Sequence, residues 1–203
     1  MKTNQIPAEK AKGWMKNFEK EKQSSRLKWK PFFLEKSTYE KLSGEAPKRI
    51  RIYLGLENAE NSGQEVVAYA VATAPDATGV FRDLTDVVFK LGKENIDYSA
   101  KTDEVKAALK AWREWKKSES SGKANSRESI YPNGFLTHDE EFQEIFAKQG
   151  KKKAIVEFGM EEQVTLLVAS DEEVTAKTPE ISYFDFMEPC PPVCDSGSDF
   201  VRL

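Results

Sequence analysis

The residues best equipped for chemistry lie near the C terminus, in Pro189-Cys190-Pro191-Pro192-Val193-Cys194-Asp195. Two thiols at this spacing could be structural, packed side chains, form a disulfide, supply half of a tetrahedral zinc shell, or act as a redox dithiol, and the packed reading is the expectation. Pro191 and Pro192 prevent an ordinary helix from joining them. A polyproline II segment would place the two Cα atoms about 12 Å apart, beyond disulfide reach, so a bridge requires a turn. In a cytosolic chain, reduced thiols are the default. As metal candidates Cys190 and Cys194 are incomplete, because two thiolates need carboxylates such as Asp185 or Asp195 to finish the shell. His138, the single histidine, is followed by Asp139, Glu140 and Glu141. In Thr137-His138-Asp139-Glu140 the pattern fits a capping box, and early acids suit the positive end of a helix dipole, so a structural role is expected. No nucleophile elbow, Walker loop, HExxH or dinucleotide glycine pattern occurs. No catalytic residue and no cofactor is assigned.

The basic N-terminal stretch carries Lys12, Lys16, Lys20, Lys22, Arg26, Lys28 and Lys30 among Trp14, Phe18 and Trp29. Phosphate contacts and base stacking would use such a mixture. Helical spacing instead assigns Trp14 and Phe18 to an apolar face and the lysines to the solvated one. With a net charge of −3 and a pI near 5.5, nucleic acid is the disfavoured partner.

These residues must be positioned by a body, and 203 residues that are 39% hydrophobic and 32% charged can build one. No run approaches the ~20 apolar residues of a membrane span. The opening MKTNQIPAEKAKGWMKNFEK lacks the apolar stretch of about 7 to 15 residues in a signal peptide, so a cytoplasmic location is expected. Residues 1–30 carry nine Lys or Arg against three Glu, whereas residues 171–203 carry eight acids against two bases. The two ends could attract each other.

An internal repeat organises the rest. KRIRIYLGLE (Lys48 to Glu57) aligns without gaps with KKAIVEFGME (Lys152 to Glu161), and Phe33-Leu34 matches Phe135-Leu136 upstream. Each Phe-Leu precedes a capping pattern, with Ser37 and Thr137 as the expected N-caps. Lys12-Gly13-Trp14 matches Lys110-Ala111-Trp112. Two units follow, 7–74 and 103–174, with a connector at 75–102 and a Cys/Pro-containing tail at 175–203. In each unit an amphipathic helix leads to a short capped helix and an antiparallel hairpin. The expected strands are Arg49 to Leu56 with Glu65 to Thr73, and Ala154 to Met160 with Gln163 to Ala169. The apolar run Thr85 to Leu91 reads as a strand or short helix. The expected fold is α+β, one pseudosymmetric domain of two related helix-helix-hairpin units, its antiparallel sheet covered by helices.

The tail, with Tyr183-Phe184-Asp185-Phe186 ahead of the cysteines, resembles an uncharacterised bacterial protein family ending in Pro-Cys-Pro-x-x-Cys-Asp. Arg51 to Gly55 and Val66 to Val71 are similar to that family's strands, although Val71-Ala72-Thr73-Ala74-Pro75 departs from its usual strand end. The resemblance implies architecture and supplies no activity. The expectation is a non-catalytic protein that binds another macromolecule, with Cys190, Pro191, Pro192 and Cys194 as its binding turn. The alternatives are a redox or metal-dependent protein using the same cysteines, and nucleic-acid binding through the basic segment. Tyr183, Phe184 and Phe186 are expected to anchor the tail, leaving residues beyond Asp195 mobile.

Overall fold

A computed structural model describes residues 5–43, 49–58, 63–118, 127–170, 183–185, 188–190 and 194–203. Along the chain run β1 (Gln5–Ile6), α1 (Ala8–Ser25), β2 (Phe32–Glu35), α2 (Lys36–Leu42), β3 (Ile50–Asn58), β4 (Gln64–Pro75), β5 (Phe81–Leu91), β6 (Ile96–Asp97) and α3 (Thr102–Lys117). Then follow α4 (Arg127–Ile130), β7 (Gly134–Leu136), α5 (Asp139–Gln143) running on as a π-turn over Glu144–Lys148, β8 (Lys153–Met160), β9 (Val164–Ser170), β10 (Tyr183–Asp185) and β11 (Glu188–Cys190). The chain is mixed α+β, and its strands form two antiparallel sheets. Sheet A has the order β1-β10-β9-β8-β2, and sheet B the order β11-β7-β3-β4-β5-β6.

Strand alternation explains how the sheets stack. Ile50, Ile52, Leu54 and Leu56 of β3 share a core with Val156, Phe158, Leu166 and Val168 of sheet A, so these are the facing surfaces. The residues between them point outward: Tyr53, Tyr69 and Val71 pack with Val105, Ala108 and Leu109 of α3, while Leu167 packs with Ala11 and Trp14 of α1. Layers therefore run helix, sheet, sheet, helix. Being covered on both sides, β3 and β4 are apolar at nearly every position rather than at alternate ones.

The helices and short strands cross between halves of the chain. Helix α1 lies on the hairpin β8–β9, with the Trp14 Cβ over Gly159, and α3 lies on β3, with Ala108 over Gly55. Strand β2 pairs with β8, and β7 with β3. A Cβ at Gly55 would come within 3.2 Å of the Ala108 backbone, and one at Gly159 within 3.2 Å of the Trp14 Cβ. Glycine at these positions lets the helices approach.

Of the strand or short helix expected over Thr85 to Leu91, the structure has the strand: the run is part of the 11-residue β5, which pairs along β4 and extends the first hairpin to a meander. The capping expectation is corrected. Ser37 and Thr137 are not N-caps: the cap positions are Glu35 and His138, and neither side chain caps. Thr137 has a stronger claim on it, since its hydroxyl donates to the Ile50 carbonyl at 3.0 Å and accepts from the Ile50 amide at 3.1 Å, continuing the β7–β3 pairing. Thr137→Val should cost about 1–3 kcal/mol, because the buried Ile50 amide loses its acceptor while the Ile50 carbonyl keeps the Thr137 amide at 2.9 Å. Chemical denaturation measures it; a change under a few tenths would show the bonds to be dispensable.

Candidate functional site

The tail cysteines are positioned by two dockings on sheet B. β11 pairs with β7, setting Cys190 opposite Gly134, and the Asn133 amide donates to the Cys190 carbonyl at 2.8 Å. Asp195 then docks on β5: its carboxylate accepts from the Asp83 amide at 3.0 Å, from Arg82 at 2.9 Å and from the Gly197 amide at 3.0 Å. Burial works to raise the Asp195 carboxyl, but these hydrogen bonds outweigh it and hold the group below the usual carboxylate range. With both ends fixed, the Cys190 and Cys194 Cα atoms stand 4.9 Å apart and the sulfurs form a disulfide. Reduced thiols, the expectation for a cytosolic chain, are thus not what the structure holds. Bonded to one another, the sulfurs present no thiolate to a metal, and among the described residues no three His, Cys, Asp or Glu side chains converge to hold one. Pro191, Pro192 and Val193 of the proposed binding turn lie outside the described residues, as does Phe186 of the proposed anchor.

Register aligns Cys190, Gly134, Tyr53, Tyr69 and Lys90 in one row across sheet B. Only glycine fits between Cys190 and Tyr53 in this row, since a Cβ at Gly134 would come within 2.7 Å of the Ile52 carbonyl oxygen and 3.0 Å of the Tyr53 ring. Beside this row, Arg51 pairs with Asp83, both side chains being sealed from solvent, and the Tyr53 hydroxyl donates to the other Asp83 oxygen at 2.6 Å. Burial, seconded by the Asp83 charge, pushes the Tyr53 phenol well above its ordinary range. Arg51 also donates to the Phe81 carbonyl at 3.1 Å. This buried ion pair was not read from the sequence. Its one signal is an arginine inside the apolar strand RIRIYLGL, since a charge buried there demands a partner.

Beyond Asp195 the chain stays docked, contrary to the mobility expected of it. Phe200 is 0% exposed and meets Tyr53 edge to face, ring centroids 5.9 Å apart. Arg113 of α3 donates to the Phe200 and Val201 carbonyls, and Lys106 pairs with Asp199 at 3.1 Å. The polar Ser-Gly-Ser-Asp stretch is the turn that brings Phe200 onto the outer face of sheet B. Phe184, by contrast, is buried in the core as expected, on β10 of sheet A.

His138 is partly exposed, its Nε2 3.6 Å from Glu188, whose other oxygen lies 3.0 Å from Arg49. Partial burial and the Arg49 charge lower its pKa, against the opposing pull of Glu188. The N-terminal aromatics are unavailable for base stacking, because Trp14, Phe18 and Trp29 are all buried.

Lys116 is a second group that the sequence did not single out. It is buried at the end of α3, donating to the Tyr131 carbonyl at 2.9 Å and to Asn133 at 2.5 Å, and burial pulls its pKa down to about 8. The sign follows from linkage: between about pH 8 and the ordinary lysine range the unfolded chain binds the extra proton, so stability rises with pH there. The phenols of Tyr53, Tyr69 and Tyr131, all raised by burial, reverse the trend above about pH 10. Stability of the wild type relative to Lys116→Met should therefore improve by about 2 kcal/mol from pH 8 to 10. A pH-independent difference would show that Lys116 titrates normally.

No protein family matches the chain, and no curated protein or solved structure is similar to it. Among the described residues no helix is long and apolar enough to cross a membrane.

Proposed function

We propose that this chain is a non-catalytic interaction protein, and that it meets a macromolecular partner through the docked disulfide loop and the neighbouring end of β5. One observation carries the reading. Asp195, the residue after Cys194, accepts from Arg82 and the Asp83 amide, so the end of the cross-linked segment docks on the stretch of β5 flanked by Val80 and Leu84, which are large apolar side chains more than 40% exposed. Apolar side chains left in water on either side of a docked, cross-linked segment suit a contact patch rather than a reaction centre. The cysteines and Asp195 act here as structural parts that fix the patch in place.

A photoreactive amino acid at Leu84, and separately at Lys20 on the solvated side of α1, tests this in cells. The reading expects discrete adducts from position 84 that are absent from position 20, and loss of those adducts when residues 196–203 are deleted. Equal adducts at both positions, or none at 84, would sink it.

The redox alternative keeps one supporting observation: Cys190 is fully buried, whereas Cys194 is only partly covered, so an external thiolate would reach the Cys194 sulfur first. The internal duplication belongs to the same reading. Its support is the reciprocal exchange of helices and short strands between the halves, with Phe32 opposite Val156 in one pairing and Phe135 opposite Ile52 in the other. On that register Phe135 corresponds to Phe32 rather than to Phe33, and the cap positions Glu35 and His138 fall into step. Tyr39 and Phe142 then become equivalent residues, and their rings touch at a centroid distance of 5.1 Å, as residues beside a twofold axis would. The resemblance of the tail to the bacterial family, the cytoplasmic location and the absence of a nucleic-acid partner remain parts of this proposal.

A further inference from the structure

Far from the tail, the segment leading into β2 crosses the end of sheet B and is pinned at two points. The Lys28 amide donates to the Gln64 carbonyl at 3.0 Å and the Val66 amide to the Lys28 carbonyl at 2.9 Å; further along, the Phe33 amide donates to the Gly92 carbonyl at 3.2 Å. Between the pins, residues 30–33 face the ends of β4 and β5 across a cleft of about 600 Å³. That volume lies in the range of small-molecule sites, and backbone bonds at both ends make its wall preformed. Its apolar lining comes from Pro31, Phe32, Phe33, Val66, Val67 and Leu91.

The charges of the cleft select the ligand. Lys30 is neutralised by Glu65 at 2.8 Å, and Lys90 by Glu57 at 2.5 Å. That leaves Lys93, whose ammonium makes no ion pair or hydrogen bond among the described residues. Lys153, shared with Glu35 at 3.7 Å, lies 5.5 Å over the Phe33 ring and donates to the Lys93 carbonyl, adding positive potential at the same end. With each rim acid paired to a lysine, Lys93 leaves the rim net positive, which favours an anion over a cation. No arginine fork lines the cleft to clasp a phosphate, whereas one lysine point charge suits a monoanion.

We infer that this cleft binds a small amphipathic carboxylate, its apolar chain lying against Phe33, Val67 and Leu91 and its carboxylate paired with Lys93. The site is independent of the β5 patch. Methyl NMR titration of the full chain with octanoate is the test, with octanol and octylammonium as matched probes. Saturable shifts should appear at the Val66, Val67 and Leu91 methyls. Binding should weaken about tenfold for octanol or for Lys93→Gln, and further for Lys93→Glu. Because Lys93 is exposed, both variants should keep the wild-type spectrum elsewhere. Octylammonium binding as tightly as octanoate, unchanged affinity in Lys93→Glu, or absence of saturable shifts would overturn the inference. So would a peptide with a free C-terminal leucine that occupies the cleft when octanoate does not, since the site would then read chain termini.

Discussion

Phe200→Ala lowers the unfolding free energy by about 3–5 kcal/mol, the cost of a cavity at a fully buried aromatic position. The site cannot collapse easily. Phe200 is enclosed by Tyr53 of β3 and the outer-face cluster beneath α3, and Arg113 holds its carbonyl from above. Removal of residues 196–203 should cost at least as much, because the docking bond from the Gly197 amide to Asp195 is lost with it. A composition-based reading of Ser196 to Asp199 expects almost no effect from this deletion, so urea denaturation separates the two accounts cleanly. A midpoint within error of wild type would show the C-terminal segment to be a tether.

Asp83→Ala should destabilise by a similar amount, about 3–5 kcal/mol, for a different reason. Arg51 and Asp83 are both sealed from solvent, and the Tyr53 hydroxyl donates to the same carboxylate. Truncating the acid leaves a guanidinium charge and a phenol in the interior without their acceptor. The double replacement Arg51→Met with Asp83→Leu removes the charge along with the partner and should be far milder, since an apolar pair of similar volume can replace a buried ion pair at little cost. A double variant as damaged as the single one would mean that the position, rather than the charge, is what matters.

How far the sequence discloses this molecule depends on how local each determinant is. The hairpins β3–β4 and β8–β9 are legible because long apolar runs next to turn residues admit few alternatives. The apolar faces of α1 and α3 are legible too, yet a helical stripe does not say which sheet it covers, and here each helix crosses to the hairpin of the other half. The second sheet was missed for the same reason, since β2 and β7 are too short to declare their partners. At Thr137 a local pattern competed with a distant one, and the buried Ile50 amide won the hydroxyl. In the tail the cysteines advertised themselves, whereas the bond that docks Asp195 beside them reaches the Asp83 amide, 112 residues away.

The disulfide joins cysteines only 4 positions apart. Closing so short a loop contributes about 2 kcal/mol, less than the anchoring expected from Phe200, so reduction should loosen the C-terminal segment without releasing it. The claim that this segment is an integral, cross-linked part of the outer face is tested most directly by amide hydrogen exchange at Val201 and Arg202, whose N–H groups bond to the Ser198 carbonyl at 3.0 and 3.1 Å. Both amides should be clearly protected in the oxidised protein, and should exchange about thirtyfold faster, though still slowed, after reduction by a dithiol. Exchange at the unprotected rate in the oxidised protein would contradict the claim.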